Sequence, residues 1–495
     1  MNRVSSKLGD QTFDVVIIGG GILGAGIARD AALRGLSVAL VEQNDFASGT
    51  SSASTKLIHG GVRYLEQYAF SLVAESCRER RTLLSMAPHL VRPVPLIMPA
   101  YEGDPYSLLK LRLGNTLYDW MTFFRHEDMP RHTALSADEA VGREPNLPEK
   151  NEHGTALQGA VLMYDCQMDD ARLCLETILD AERYGAVCVN YCRVTRLHCQ
   201  EQRLDSIDVI DTVTHEEYSV KARCFVNATG PWAASVAELI GAVSPIRLSP
   251  TKGIHLVIPR SQREHGIYFQ SRADGRMIFL LPWEDVSLLG TTDTDFSEDP
   301  GSAQADEADV GYLIDRLNMT MPAVGLQPED VITTFAGVRA LIQSDSRRPS
   351  SRSREEKLVR QGENLLHVAG GKYTTFRAVA EKGMKEIGRV LGQRLPACRT
   401  EDVPLTDHRP QFEGRVLAES PSVHESDIRH ACQAEHAVTL TDVMRRRTRL
   451  ALSPAGGEAT ATAVADLMAE ELQWDDAEQS RQMQDYLSHR SDKRC

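Results

Sequence analysis

The ten cysteines, at 77, 166, 174, 188, 192, 199, 224, 398, 432 and 495, include no C-x-x-C pair. No apolar leader precedes them, which reads as reduced, intracellular usage; no metal set is expected. No run approaches the roughly 18 apolar residues of a membrane span, so the reading is a cytoplasmic protein, soluble or peripheral on the inner face of the membrane. An amphipathic face of low net hydrophobicity would escape such a count. A basic excess is lacking as well: the net charge of −14 argues against a nucleic-acid partner, while leaving room for a local basic site for a small anion. Internal repeats and long low-complexity tracts are absent, and RRPSSRSR at 347–354 is a short basic loop. At 495 residues, with ordinary apolar and charged fractions, the chain has length for roughly three domains.

What is present is concentrated first in Asp14 to Glu42, DVVIIGGGILGAGIARDAALRGLSVALVE. A buried run ends in Gly19-Gly20-Gly21-Ile22-Leu23-Gly24, leads into an Ala/Leu-rich helix, and is followed by a second apolar run, Val38 to Val41. In this strand-turn-helix-strand unit Gly19 permits the tight turn, Gly21 lets backbone approach a pyrophosphate, and Gly24 lets helix pack on strand. Glu42 closes the second strand where an acid can hydrogen-bond ribose hydroxyls, which favours FAD or NAD over NADP.

Further along, helical spacing runs from Tyr64 to Met86 before a cluster of prolines at 88, 93, 95 and 99 that reads as a boundary. A helix is predicted from Tyr106 to Phe124, and a fresh α/β unit from Met168 with a helix over Asp170 to Tyr184. Alternating β-rich runs from Ile246 to Thr294 predict an antiparallel sheet. Leu365 to Gly371 is a short buried run before a helix from about Thr374 to Leu391. The expected organisation is a discontinuous dinucleotide domain over 12–90, 160–245 and 345–392, a substrate domain over 91–159 and 246–344, and a C-terminal helical domain over 396–495.

Four more segments carry candidate chemistry. Thr50-Ser51-Ser52-Ala53-Ser54-Thr55-Lys56-Leu57-Ile58-His59-Gly60-Gly61-Val62-Arg63-Tyr64 offers hydroxyls and amides to wrap a pyrophosphate or a flavin edge, with His59, Arg63 and Tyr64 behind them. Val226 to Trp232 is a strand ending in Thr229-Gly230-Pro231, suited to close packing beside a cofactor. Lys252-Gly253-Ile254-His255 and, later, Arg339 bring a histidine and an arginine, residue types that are more often structural. Gly370-Gly371-Lys372-Tyr373-Thr374 is a strand end and helix start, whose unpaired amides and positive lysine are what a reduced, anionic flavin needs near N1.

Taken together these segments resemble the bacterial FAD-dependent glycerol-3-phosphate dehydrogenases. GGGILGAGIARDAALRGLSVALVE, TSSASTKLIHGGVRYLEQY, VNATGPW, KGIHLVIP, GTTDTD, AGVRAL and GGKYTTFR stand in the family's order from about residue 12 to 390. A thinner match is Asp442-Val443-Met444-Arg445-Arg446-Arg447-Thr448-Arg449, although such charge runs are usually solvated faces. The resemblance implies an α/β fold: a glutathione-reductase-type Rossmann FAD domain, a D-amino-acid-oxidase-like β-rich substrate domain and a C-terminal helical domain. It also implies oxidation of sn-glycerol 3-phosphate to dihydroxyacetone phosphate, hydride passing from C2 to flavin N5 and electrons going to a membrane quinone. A homodimer and a peripheral membrane contact stand as open expectations.

Carried over residue by residue, Arg63, Tyr64, Arg339 and Arg354 would bind substrate, since several guanidinium groups suit one phosphate. His255 is favoured as the base for the hydroxyl proton, with His59 nearer the flavin and Lys372 supporting its negative charge. Gly19, Gly21, Gly24, Glu42, Thr50, Ser51, Thr55, Lys56, Leu57, His59, Gly230, Gly371, Lys372 and Thr374 would hold FAD. The sequence departs from the family at Tyr373, where leucine is frequent, and at Ala340, where proline is common. Rival readings are a related flavin enzyme acting on another hydroxy or amino acid, a glycerol-phosphate oxidase using oxygen, and a flavoprotein whose catalysis has been lost.

Overall fold

The computed structural model describes residues 5–491 apart from 123–128, 240, 242–243, 344–355, 411 and 455. A first sheet is built on five parallel strands in the order Leu365–Gly370, Glu217–Asn227, Thr12–Ile18, Val38–Val41 and Val187–Val189. Glu356–Gln361 adds an antiparallel edge, and the hairpin Cys192–Gln200 with Arg203–Asp211 extends from Glu217–Asn227. Strands covered on both faces read as near-continuous apolar runs, and their side chains alternate between two cores. Val15 and Ile17 meet the helices Ile22–Leu33, Asp170–Arg183 and Phe376–Leu391, whereas Val16 and Ile18 meet the hairpin.

The second sheet is mostly antiparallel, in the order Thr294–Asp295, Thr251–Pro259, Val286–Gly290, Met277–Trp283, Gly266–Gln270, Val91–Tyr101, Leu157–Met168 and Leu57–Ile58. Thr333–Arg339 pairs with the other edge of Thr251–Pro259, placing Thr251 opposite Arg339 and His255 opposite Phe335. Three of the four prolines expected to break the pattern lie inside an eleven-residue strand, Val91–Tyr101, and Pro88 stands in the turn before it. Pro93, Pro95 and Pro99 share one parity, so their missing N–H groups fall on one edge of the strand. Its even-numbered residues are left to donate into the long ladder with Leu157–Met168.

That ladder runs across the expected bound at 159/160. Leu57–Ile58 and all of Leu157–Met168 belong to the second sheet, because register with Val91–Tyr101 outweighs sequence proximity to the first. The predicted helices appear as Phe70–Met86, Leu108–Thr122, Asp170–Arg183 and Phe376–Leu391, with Val62–Gln67 forming a tighter 3-10 turn. The C-terminal segment is helical, with Glu425–Ala434, Glu458–Leu472 and Asp476–Ser491, and carries one small hairpin, Val416–Glu419 with Ser422–His424. Among the described residues no helix is long and apolar enough to cross a membrane.

Candidate active site

A long cleft runs from the carboxyl ends of the parallel strands to the second sheet. At its first end the chain turns at Gly19, whose φ of +111° suits glycine, and a Cβ at Gly24 would collide with the Gly19 carbonyl. Helix Ile22–Leu33 thus starts against the strand, its N-cap Gly21 bearing no side-chain cap; the Ile22 N–H donates to Ser51 Oγ at 2.9 Å. Glu42 sits beside this turn, one oxygen accepting from Gly20 N–H at 2.7 Å and the other from Asn44 N–H at 2.9 Å. Burial pushes its pKa up, the two amides oppose that, and the Asp45 charge adds to it. Each carboxylate oxygen keeps a second lone pair for ribose hydroxyls.

The middle of the cleft is where distant segments meet. Thr374 Oγ1 accepts from His59 N–H at 3.2 Å and lies 3.3 Å from the His59 carbonyl, so the two Gly-rich loops are stitched together. Lys372 lines the cleft, with Nζ 3.3 Å from Ser76 Oγ and 4.2 Å from the centre of the Tyr64 ring. The turn Tyr373–Thr375 and helix Phe376–Leu391 follow it with no side-chain cap, so the positive end of the helix and the lysine charge face the same space.

At the far end, neighbouring strands deliver His255 and Arg339 to the same wall. The Arg339 guanidinium folds over Gly253, where a Cβ would strike it; Nη1 lies 3.1 Å from Asp293 Oδ1 and Nη2 3.1 Å from Thr291 Oγ1. His255 is stacked on Phe335 at 4.8 Å, and its Nε2 lies 3.0 Å from Thr55 Oγ1. Its Nδ1 is buried without a hydrogen-bond partner among the described residues. Burial, reinforced by the charges of Arg339 and Lys56, pushes the His255 pKa down to about 3. The imidazole is therefore neutral and able to accept a proton. An anion settling on Arg339 would offset the smaller, electrostatic part of that shift.

Of the residues expected to hold a cofactor, Gly19, Gly21, Glu42, Thr50, Ser51, Thr55, Leu57, His59, Gly230, Gly371, Lys372 and Thr374 line this cleft. Two do not. Gly24 acts through packing alone, and the Lys56 ammonium turns away to a buried ion pair with Asp170 at 2.5 Å, because that carboxylate has no water to solvate it. Arg63 and Tyr64 also lie off the cleft wall. Arg63 opens into a separate cavity beneath helix Leu108–Thr122, and Tyr64 is buried behind Lys372. Burial works against the Arg63 charge, but Tyr64, Tyr268 and, least, Asp293 more than offset it. Arg354 falls outside the described residues. Residues not singled out beforehand include Asp293, which anchors Arg339 and stands in the G-T-T-D run, and Trp232, which lines the cleft with its Nε1–H donating to Asp299 at 3.1 Å.

The uncapped helix start, the glycine turn and the half-buried acid suit an adenine dinucleotide, and the second uncapped helix start with Lys372 suits a redox ring that gains negative charge. These features and the two-sheet fold define an FAD-dependent oxidoreductase. The sequence model of the family described as "FAD dependent oxidoreductase" matches residues 14–381. That of the "C-terminal domain of alpha-glycerophosphate oxidase" matches 396–479. The aerobic glycerol-3-phosphate dehydrogenase of Staphylococcus saprophyticus is 39% identical over 411 residues, covering 82% of this chain and 72% of its own. That of Staphylococcus aureus is 36% identical over the same length, with the same coverage. The crystal structure of glycerol-3-phosphate dehydrogenase from Bacillus halodurans complexed with FAD superposes with a TM-score of 0.78 at 26% identity, covering 98% of this chain and 95% of that one. The chain belongs to the family of FAD-dependent, aerobic glycerol-3-phosphate dehydrogenases.

Proposed function

We propose that the chain oxidises sn-glycerol 3-phosphate at C2 to dihydroxyacetone phosphate and passes the electrons to a membrane quinone. Bound FAD supplies the hydride acceptor. The observation that carries the reading is the convergence of Arg339 and His255 on one wall of the cofactor cleft. Arg339 presents a planar donor set to a phosphate, held in orientation by Asp293 and Thr291. His255, kept neutral by burial, accepts the C2 hydroxyl proton. Lys372 and the adjacent helix start hold positive charge where the cofactor becomes more negative. Arg63, whose side chain lines the neighbouring cavity, and Arg354, outside the described residues, complete the proposed set of phosphate ligands.

An acceptor dissolved in lipid calls for a peripheral contact with the inner face of the cytoplasmic membrane. Helix Leu108–Thr122 supports it: Leu109, Leu113 and Trp120 stand more than 60% exposed near Lys110 and Arg112. The description of the C-terminal match favours a second reading, an oxidase that passes electrons to oxygen.

Anaerobic titration of the holoenzyme with glycerol 3-phosphate, glycerol and a hydroxy acid tests the substrate. Flavin bleaching is expected with the first alone; bleaching by the hydroxy acid alone would refute the reading. Reoxidation faster with a soluble quinone than with oxygen supports the dehydrogenase, and the reverse supports the oxidase.

A further inference from the structure

The loop from Glu42 to Gly49 has two faces. Glu42, Gln43, Asn44, Ser48 and Gly49 form the cleft wall, while Asp45, Phe46 and Ala47 are buried on the opposite side. Ala47 has φ +62°, a left-handed conformation that costs a non-glycine residue energy and persists only where its surroundings enforce it. Ala47 N–H is fixed on the Gly20 carbonyl at 3.0 Å, and the C-terminal domain holds the adjoining Asp45 and Phe46. Arg447 grips Asp45 with both Nη atoms, at 2.7 and 2.9 Å, and Arg446 Nε reaches the same carboxylate at 2.5 Å. Asn190 Nδ2 donates to Asp45 at 3.0 Å and to the His436 carbonyl at 2.8 Å, while the Phe46 ring meets the His436 ring edge-on at 5.7 Å. Behind the arginines, Asp442 binds Arg446 at 2.6 Å and the Glu435 carbonyl accepts from Arg447 at 2.7 Å. The charge run expected to be a solvated face is thus a buried clamp.

We infer that Arg446 and Arg447 are positioning residues for the adenosine end of FAD: through Asp45 they fix the loop that carries Glu42, so the C-terminal domain sets how tightly the cofactor is held. They stand behind the cleft wall and act on the cofactor through Asp45 and the loop. The loop is then already ordered before FAD arrives, and little binding energy goes into arranging it.

The test compares three variants of the full chain by FAD titration of the apoprotein and by turnover at saturating FAD. Arg447→Lys keeps the charge and loses the two-pronged grip; Asp45→Asn keeps the shape and loses the charge. Arg449→Ala is the control, since Arg449 docks the same domain elsewhere, at 3.2 Å from Asp169 and 3.0 Å from Glu284. The first two are expected to raise the Kd for FAD about tenfold, the equivalent of one charge-assisted hydrogen bond, with kcat and KM at saturating FAD unchanged. The control is expected to leave Kd within about twofold. An unchanged Kd in the first two, or an equal rise in Arg449→Ala, would show that the arginines only dock domains. Hydrogen exchange of the wild-type apoprotein gives an independent reading. Amides of residues 44–49 are expected to be protected before FAD is added, and protection that appears only with FAD overturns the inference.

Discussion

The Gly60 N–H donates to the Tyr118 hydroxyl at 2.7 Å, which joins the flavin-facing loop to the inner side of helix Leu108–Thr122. Tyr118 is itself bonded to Asp165 at 2.8 Å and to Arg80 at 2.9 Å, and Arg80 pairs with Asp165; all three are buried. Replacing Arg80 by Met strands a buried carboxylate and is expected to cost about 3–5 kcal/mol. Tyr118→Phe takes one donor from the buried Asp165 carboxylate and is expected to cost about 1–3 kcal/mol. Urea unfolding ranks them; a smaller loss for Arg80→Met than for Tyr118→Phe would contradict the network.

Arg339→Ala removes the proposed phosphate donor from the cleft wall. Loss of a charge-assisted contact of about 1.5–3 kcal/mol lowers kcat/KM for glycerol 3-phosphate roughly 10- to 150-fold. Most of the change is expected in KM, and steady-state kinetics at saturating FAD would show it. Unchanged kinetics would remove Arg339 from the substrate site.

His255 also predicts how stability depends on pH. Its folded pKa of about 3 lies below the unfolded value near 6.5, so between those values the unfolded chain binds the extra proton. The contribution of His255 is therefore complete above pH 6.5 and is lost as the pH falls toward 3. Between pH 7.5 and 5, His255→Gln is expected to lose less stability than wild type in urea midpoints. Equal losses would place the acid sensitivity elsewhere.

Two glycine substitutions separate close approach from mere helix content. Gly24→Ala drives a methyl into the Gly19 carbonyl and is expected to abolish FAD retention. Gly311, inside helix Glu307–Thr320, has open space where a Cβ would stand, so Gly311→Ala is expected to add about 0.5–1 kcal/mol. Absorbance of bound flavin after desalting and the thermal midpoint report the two effects. Flavin retained by the Gly24→Ala variant would refute the packing role.

Local chemistry made much of this molecule legible. The turn at Gly19 and the helix start after Lys372 are set by residues within a few positions, and the acid at Glu42 by a partner 22 positions away in the same strand-turn-helix-strand unit. What escaped reading depends on partners far along the chain. Lys56 has the composition of a cofactor ligand, but Asp170 claims it. Arg446 and Arg447 look solvated until Asp45, some four hundred residues earlier, supplies a buried counter-charge. Pro93, Pro95 and Pro99 signal a break until a partner strand is found that accepts their parity. Arg63 and Tyr64 lie beside the expected ligands in sequence, yet their side chains pack behind Lys372 and toward a different cavity.

The hydrogen bonds between Thr374 and His59 span 315 positions, so no N-terminal stretch ending before residue 374 contains both halves of the flavin wall. During synthesis the early glycine turn can form with its neighbours, but the redox end of the cleft waits for three quarters of the polypeptide to emerge. Cofactor capture is thereby a late event, and a product truncated before residue 374 cannot pass for a working flavoprotein.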